Sequence, residues 1–523
     1  MTNESSLPKI GDTILLDGSP LSIEQVARVA RHAAHVELAG TSREAMIQSR
    51  ASVEAICDDP SPHYGINTGF GSLSTRRIAT DALADLQRNL IRSHAAGIGE
   101  HLPEPIVRAM MVIQAASLAR GLSGIRPVVV ETILQMLKAG LAPAVPSVGS
   151  VGASGDLAPL AAVARTLMGE GEVYHRGVLR RTSDALCETQ IKPVELQAKE
   201  GLALINGTHL MTARGCLLLD DLALLMRYAI LACAMSMDAC KTTDAFLDER
   251  VHIARCQPGP QRVAAALRAC LQESEIIPSH REDDPRVQDP YSFRCAPAVL
   301  GAALDCIGYA RAAITRELGA VTDNPLVFGA SDIVSAGNFH GMPLAIPLDT
   351  LAIALSHIAG ISERRVFLML AASDPYSGLV PYLAPSPGVQ SGYMIAQYTA
   401  AACCNEIIGL AMPASVANIS TSAGIEDYNS FGPRAAAKAE RALLLARQVV
   451  SIELLCAAQG LEMHRPLRSG AAIEALHAVI RQDIPSLEQD RAVTPDIEAI
   501  EALLCSPSAL GTTTPPLFSQ IGL

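Results

Sequence analysis

The chain has 523 residues, of which 49% are hydrophobic, 18% charged and 3% aromatic, with no Trp. Such a composition excludes a disordered chain and demands a core built from Ala, Leu, Ile and Val. The 41 basic and 53 acidic residues leave a net charge of −12, which repels nucleic-acid backbones and anionic membranes and points to a small-molecule partner.

In chain order, the opening MTNESSLPKIGDTILLDG has acids and no basic run before an apolar stretch, so it does not read as a signal peptide. Short β-compatible pieces lie at Asp12–Leu16 and Val173–Leu179. The capping boxes Ser22-x-x-Gln25 and Thr41-x-x-Glu44 predict helix starts. From residue 205 to 465, long Ala- and Leu-rich helical patterns joined by polar loops predict a helix bundle, with Leu445, Val449, Ile452, Cys456 and Gln459 on one helix face. Shorter helices follow Arg465. The expected division is an N-terminal domain over 1–204, a central bundle over 205–465 and a helical segment over 466–523.

The thirteen Cys form no C-x-x-C pair, and no H-E-x-x-H or Cys/His cluster occurs. This argues for a reducing cytosol and against a disulfide scaffold or a metal site. Pro375–Asn405 and Ile407–Ile425 contain no charge, but Pro375, Gly378, Pro381, Pro385, Pro387, Gly388, Gly392 and Pro413 interrupt them. Lipid-exposed broken backbone leaves polar groups unpaired, so buried irregular backbone is expected there rather than membrane spans.

The segment PSVGSVGASGDLAP, Pro146–Pro159, concentrates Gly149, Gly152 and Gly155 just before a helical pattern that starts after Asp156. It lacks the G-K-[ST] of a phosphate-binding loop and has no preceding hydrophobic strand, so no nucleotide is expected. A tight turn is one reading. A second is covalent: attack of the Gly155 nitrogen on the Ala153 carbonyl carbon with loss of water, then loss of the Ser154 hydroxyl, makes a ring with an exocyclic methylene, an electrophile drawn from the chain itself.

The motifs GSVGASGDLAPLA (Gly149–Ala161), HYGINTGFG (His63–Gly71), LQRNLIRSHAAGIG (Leu86–Gly99), EGLALINGT (Glu200–Thr208), QDPYSFRC (Gln288–Cys295), TDNPLVF (Thr322–Phe328) and GNFHG (Gly337–Gly341) occur together and in order. In these the chain resembles the aromatic amino acid ammonia-lyase and aminomutase family. The resemblance implies a mainly α-helical, fumarase/aspartase-like fold with a long central bundle and a small α+β N-terminal lobe. It also implies a 4-methylidene-imidazol-5-one (MIO) group formed from Ala153, Ser154 and Gly155, and a cytoplasmic homotetramer whose sites combine several subunits.

Residue by residue, Tyr64 matches the family's β-proton-removing Tyr, and Arg294 the Arg that pairs with the substrate carboxylate, a task suited to a planar fork of donors. Gln288 and Tyr291 match neighbouring site positions. Asn206 and Asn338 resemble amides near the MIO or the carboxylate, and Phe339 the ring packed on the MIO. Substrate choice falls on Ser93-His94 and Glu426, which match the histidine-acting branch. An imidazole offers one donor and one acceptor, which His94 and Glu426 can satisfy, whereas a phenyl ring would leave both unpaired.

Some residues depart from that branch. Gly424-Ile425 replaces two polar residues before Glu426, Ala371–Tyr376 differs from the usual stretch, and Gln390 stands where Asn is usual. The expectation is elimination of ammonia from L-histidine to give trans-urocanate. The alternatives are a lyase for a modified histidine or another aromatic amino acid, a 2,3-aminomutase, or a silent structural relative, against which the intact Tyr64, Ala153-Ser154-Gly155, Tyr291 and Arg294 argue.

Overall fold

The computed structural model describes residues 13–71, 74–282, 284–329, 332–506 and 518. Helices hold 59% of the residues and strands 8%, the mainly α-helical class that the sequence implies. The expected strand at Asp12–Leu16 is seen over Ile14–Leu16, paired in parallel with Val36–Leu38; Asp12 lies outside the described residues. Val173–Leu179 is a hairpin, Glu172–His175 with Val178–Arg181. Its turn falls at Arg176 and Gly177, both at positive φ, the backbone that two-residue hairpins select.

The Ser22 capping box forms as expected: Ser22 accepts from the Gln25 amide, and the Gln25 side chain accepts from the Ser22 amide. Thr41 does not cap. Its helix starts a residue earlier, at Gly40, with the extended Ala39 as N-cap and no side-chain hydrogen bond. The Gly-rich loop opens on a short strand, Pro146–Val148, which pairs with Ile98–His101 and is half-buried to exposed rather than apolar.

By contact density the chain forms two compact units. The first comprises Met1–Asp220, Arg311–Leu348 and Ala414–Ala437. Its core includes the helix Glu104–Leu118, in which every residue from Ala109 to Leu118 is buried, as expected for a helix apolar on all sides. The second comprises Asp221–Ala310, Asp349–Pro413 and Lys438–Leu523. Within it Leu445, Val449, Ile452, Cys456 and Gln459 are all buried, as their spacing predicts.

The long helices are His209–Ala239, Ala296–Glu317, Met342–Ala371 and Gly432–Glu462. By length and composition the last three could cross a membrane, although 67% and 83% of the apolar windows of Met342–Ala371 and Gly432–Glu462 are buried within the protein. The charge-free stretches hold short 3-10 turns at Pro375–Ser377 and Pro381–Leu383 and the helix Met394–Leu410, in keeping with interrupted backbone.

Candidate active site

The Gly-rich loop runs from the Pro146–Val148 strand to the helix Leu157–Leu167. At its centre Gly155 bridges to Gly207, and the Asp156 amide donates to the Gly207 carbonyl at 2.8 Å. Gly155 has φ +74°, and a Cβ there would come within 2.2 Å of the Gly207 oxygen. Only glycine fits so close an approach. Asp156 is fully buried and accepts from Ser150 Oγ and from the Leu210 and Met211 amides at 2.9–3.1 Å. Burial pushes its pKa up to about 7 against those donors.

This compressed turn aims Ser154 into a cavity of about 350 Å³. There the Ser154 hydroxyl donates to Glu426 Oε1 at 3.1 Å, while Glu426 Oε2 accepts from Thr421 Oγ1 at 3.1 Å. Glu426 is presented by a loop closed on itself through paired backbone hydrogen bonds with Thr421, with Ser422, Ala423 and Gly424 all at positive φ. Tyr64 faces the same cavity. Burial holds its phenol above the ordinary value and the nearby Glu426 charge adds to this, while the Gly71 amide opposes both.

The structure brings Tyr64, Ala153, Ser154, Asn206, Phe339 and Glu426 together around this cavity, with Gly155 in the turn behind Ser154. Asn206 ends the six-residue helix Glu200–Ile205, its amide tied to the Leu202 carbonyl at 3.1 Å. Two expected residues of the first unit are engaged elsewhere and do not line the cavity. Asn338 donates to the Val321 and Asp323 carbonyls at 3.0 and 2.8 Å. His94 closes the helix Leu83–His94 with Nδ1 2.9 Å from the Leu90 carbonyl; that bond puts the proton on Nδ1 and leaves Nε2 as an acceptor in the neutral ring.

Asn324, His340 and Tyr428, which are not among the expected site residues, also line the cavity. Asn324 was visible as the amide of TDNPLVF. Nothing in the sequence told it apart from Asn338, because the choice depends on which side chain the backbone carbonyls take up.

Gln288, Tyr291 and Arg294 belong to the second unit. Here Asp289 accepts from the Thr243 amide and hydroxyl, and Arg294 Nε donates to the Asp289 carbonyl at 3.2 Å. The Arg294 guanidinium stacks over the Tyr291 ring, 4.7 Å from its centroid, a cation–π contact that fixes the fork's plane. Below this segment the buried Arg365 donates to the Ser292 carbonyl at 3.2 Å. Arg286 is held between Asp284 and Asp374 at 2.7 and 3.1 Å.

The profile of the aromatic amino acid lyase family matches residues 21–482. This chain belongs to the aromatic amino acid lyase family. It is 48% identical over 502 residues to a histidine ammonia-lyase of Anaeromyxobacter sp. (strain K), covering 94% of this chain and 98% of that protein. The solved histidine ammonia-lyase of Trypanosoma cruzi is 36% identical, with a TM-score of 0.89 over 98% of this chain and 97% of that one. A tyrosine aminomutase from Streptomyces globisporus is 33% identical, with a TM-score of 0.91 over 96% and 99%. Lyase and mutase thus share one fold with this aromatic amino acid lyase family member, so the choice between them rests on the site rather than on the fold.

Proposed function

We propose that the protein eliminates ammonia from L-histidine to give trans-urocanate, as a cytoplasmic carbon–nitrogen lyase that assembles as a homotetramer. The observation that carries this reading is Glu426, a carboxylate inside the cavity and hydrogen-bonded to Ser154. A half-buried acceptor matches an imidazole N–H, whereas a phenyl ring offers it no donor. Histidine ammonia-lyases 45–48% identical over more than nine-tenths of the chain support the same substrate.

The residues present fit an MIO formed from Ala153, Ser154 and Gly155. Gly155 is left-handed and pressed on Gly207, Ala153 is buried, and the Ser154 hydroxyl faces the cavity. Once formed, this group supplies an electrophile toward the substrate's amine or ring, with no metal and no nucleotide. The rest falls to the side chains. Arg294, with Gln288, pairs with the substrate carboxylate from another copy, and the amides of Asn206 and Asn324 assist. Glu426 holds the imidazole; His94 lies outside this cavity and could reach the ring only from another copy. Tyr64 takes the β-proton as its phenolate; burial disfavours that form, so the phenol's own proton has to leave before the β-proton is accepted.

Arg294 and Tyr291 sit in a segment whose aromatic ring is 69% exposed, which suits a surface that another copy covers. A second reading, a lyase for a modified histidine, draws on Ile425, an apolar residue lining the cavity next to Glu426.

The test is ammonia release from L-histidine, its methyl and thiol derivatives, L-tyrosine and L-phenylalanine, with product identification. The expected result is urocanate and ammonia, fastest from L-histidine. A β-amino acid product, or a preference for phenylalanine, would overturn the proposal.

A further inference from the structure

Beneath the cavity in the first unit lies an ion pair that none of the chemistry above uses. Lys199 is fully buried and donates to Asp323 Oδ2 at 2.6 Å, and Asp323 is itself only 2% exposed. Burying both charges is costly, and pairs that serve only stability are commonly replaceable by apolar side chains. Lys199 also carries φ +69°, a conformation that favours glycine. Glycine would relieve that strain, but it would remove the ammonium.

What the pair joins is specific. Lys199 is the N-cap of the helix Glu200–Ile205, and Asn206 is its C-cap. Asp323 Oδ1 accepts from the Asn324 amide at 2.7 Å, and the Asp323 carbonyl accepts from Asn338 Nδ2 at 2.8 Å. Asn324 Oδ1 in turn accepts from the Ala336 amide at 2.7 Å. One bond therefore links the base of the helix that ends in Asn206 to the loop that carries Asn324, and both amides face the cavity.

We propose that the Lys199–Asp323 pair is a positioning device that sets the spacing of Asn206 and Asn324 and thereby the grip on the amino acid carboxylate. The inference rests on the lyase reading above. Asn338 belongs to the same device: it anchors the Asp323 backbone rather than meeting the substrate.

The test uses the full-length enzyme with Lys199→Met and Asp323→Asn combined, so that no charge is left buried. The variant should fold, lose the mass of two waters at Ala153-Ser154-Gly155 as the wild type does, and keep kcat per processed chain within about three-fold. KM for L-histidine should rise about ten-fold. Calorimetry with trans-urocanate should show a similar weakening of Kd. Unchanged KM and Kd in a folded, processed double variant would overturn the inference. Should the double variant not fold, Lys199→Arg keeps the charge and alters its reach; it should raise KM and Kd in the same direction, and unchanged values would overturn the inference. Ammonia release by the wild type reports on the lyase reading alone. The ratio of variant to wild-type Kd, read without turnover, reports on the pair alone.

Discussion

Glu426 carries more of the functional reading than any other side chain, because it receives the Ser154 hydroxyl inside the cavity in which, on the proposed reading, the substrate ring lies. Glu426→Gln keeps the shape and one acceptor but loses the charge and adds donors. The expected loss in kcat/KM for L-histidine is about ten- to a hundred-fold, the worth of a hydrogen bond to a charged group. Processing should proceed, as judged by intact mass. Steady-state kinetics with L-histidine and L-phenylalanine side by side would check this, and unchanged selectivity would remove Glu426 from the argument. Ser154→Ala makes the complementary case. It removes the hydroxyl whose departure creates the electrophile, so the fold should persist while ammonia release falls by orders of magnitude.

Elements show why some of this molecule was legible and some was not. Ser22 and Gln25 cap as their spacing predicts because both partners lie within one turn. The face formed by Leu445, Val449 and Ile452 reads correctly because burial follows helical periodicity. Thr41 misleads because Ala39 already has the extended N-cap conformation and Gly40 enters the helix. Ser154, Asn206 and Glu426 were found through local motifs. Buried ion pairs are not legible in this way, since Lys199 and Asp323 are 124 positions apart and, in the second unit, Arg365 and Glu453 are 88 apart.

That second pair supports its own prediction. Arg365 and Glu453 are fully buried in the second unit. Glu453 accepts from Arg365 Nε and Nη2 and from the hydroxyls of Ser362 and Ser236 at 2.5–2.8 Å. Glu453→Ala would leave a guanidinium buried without its counter-charge and should cost about 3–5 kcal/mol. Urea unfolding should register this as a lowered midpoint with the slope unchanged, and a midpoint equal to the wild type would show that the pair contributes nothing.

At the scale of the whole molecule, the proposed reading requires the Tyr64 and Ser154 cavity of the first unit and the Arg294 segment of the second to serve one substrate. The proposed homotetramer meets this requirement by letting different copies supply them. In support, the helix Met394–Leu410 exposes Ile395, Tyr398 and Ile408 by 62–65%, in keeping with a surface that associates. Tyr64→Phe and Arg294→Met should each abolish turnover, the first by removing the base and the second by removing the carboxylate clamp. Co-expressed in equal amounts, they should recover activity if Tyr64 and Arg294 of one site come from different chains. Random mixing in a symmetric assembly would then make about a quarter of the sites wild type at both positions. Sites built within single chains would recover nothing, because every chain carries one lesion. The activity of the mixture, measured against each variant alone at equal total protein, therefore decides between shared and self-contained sites.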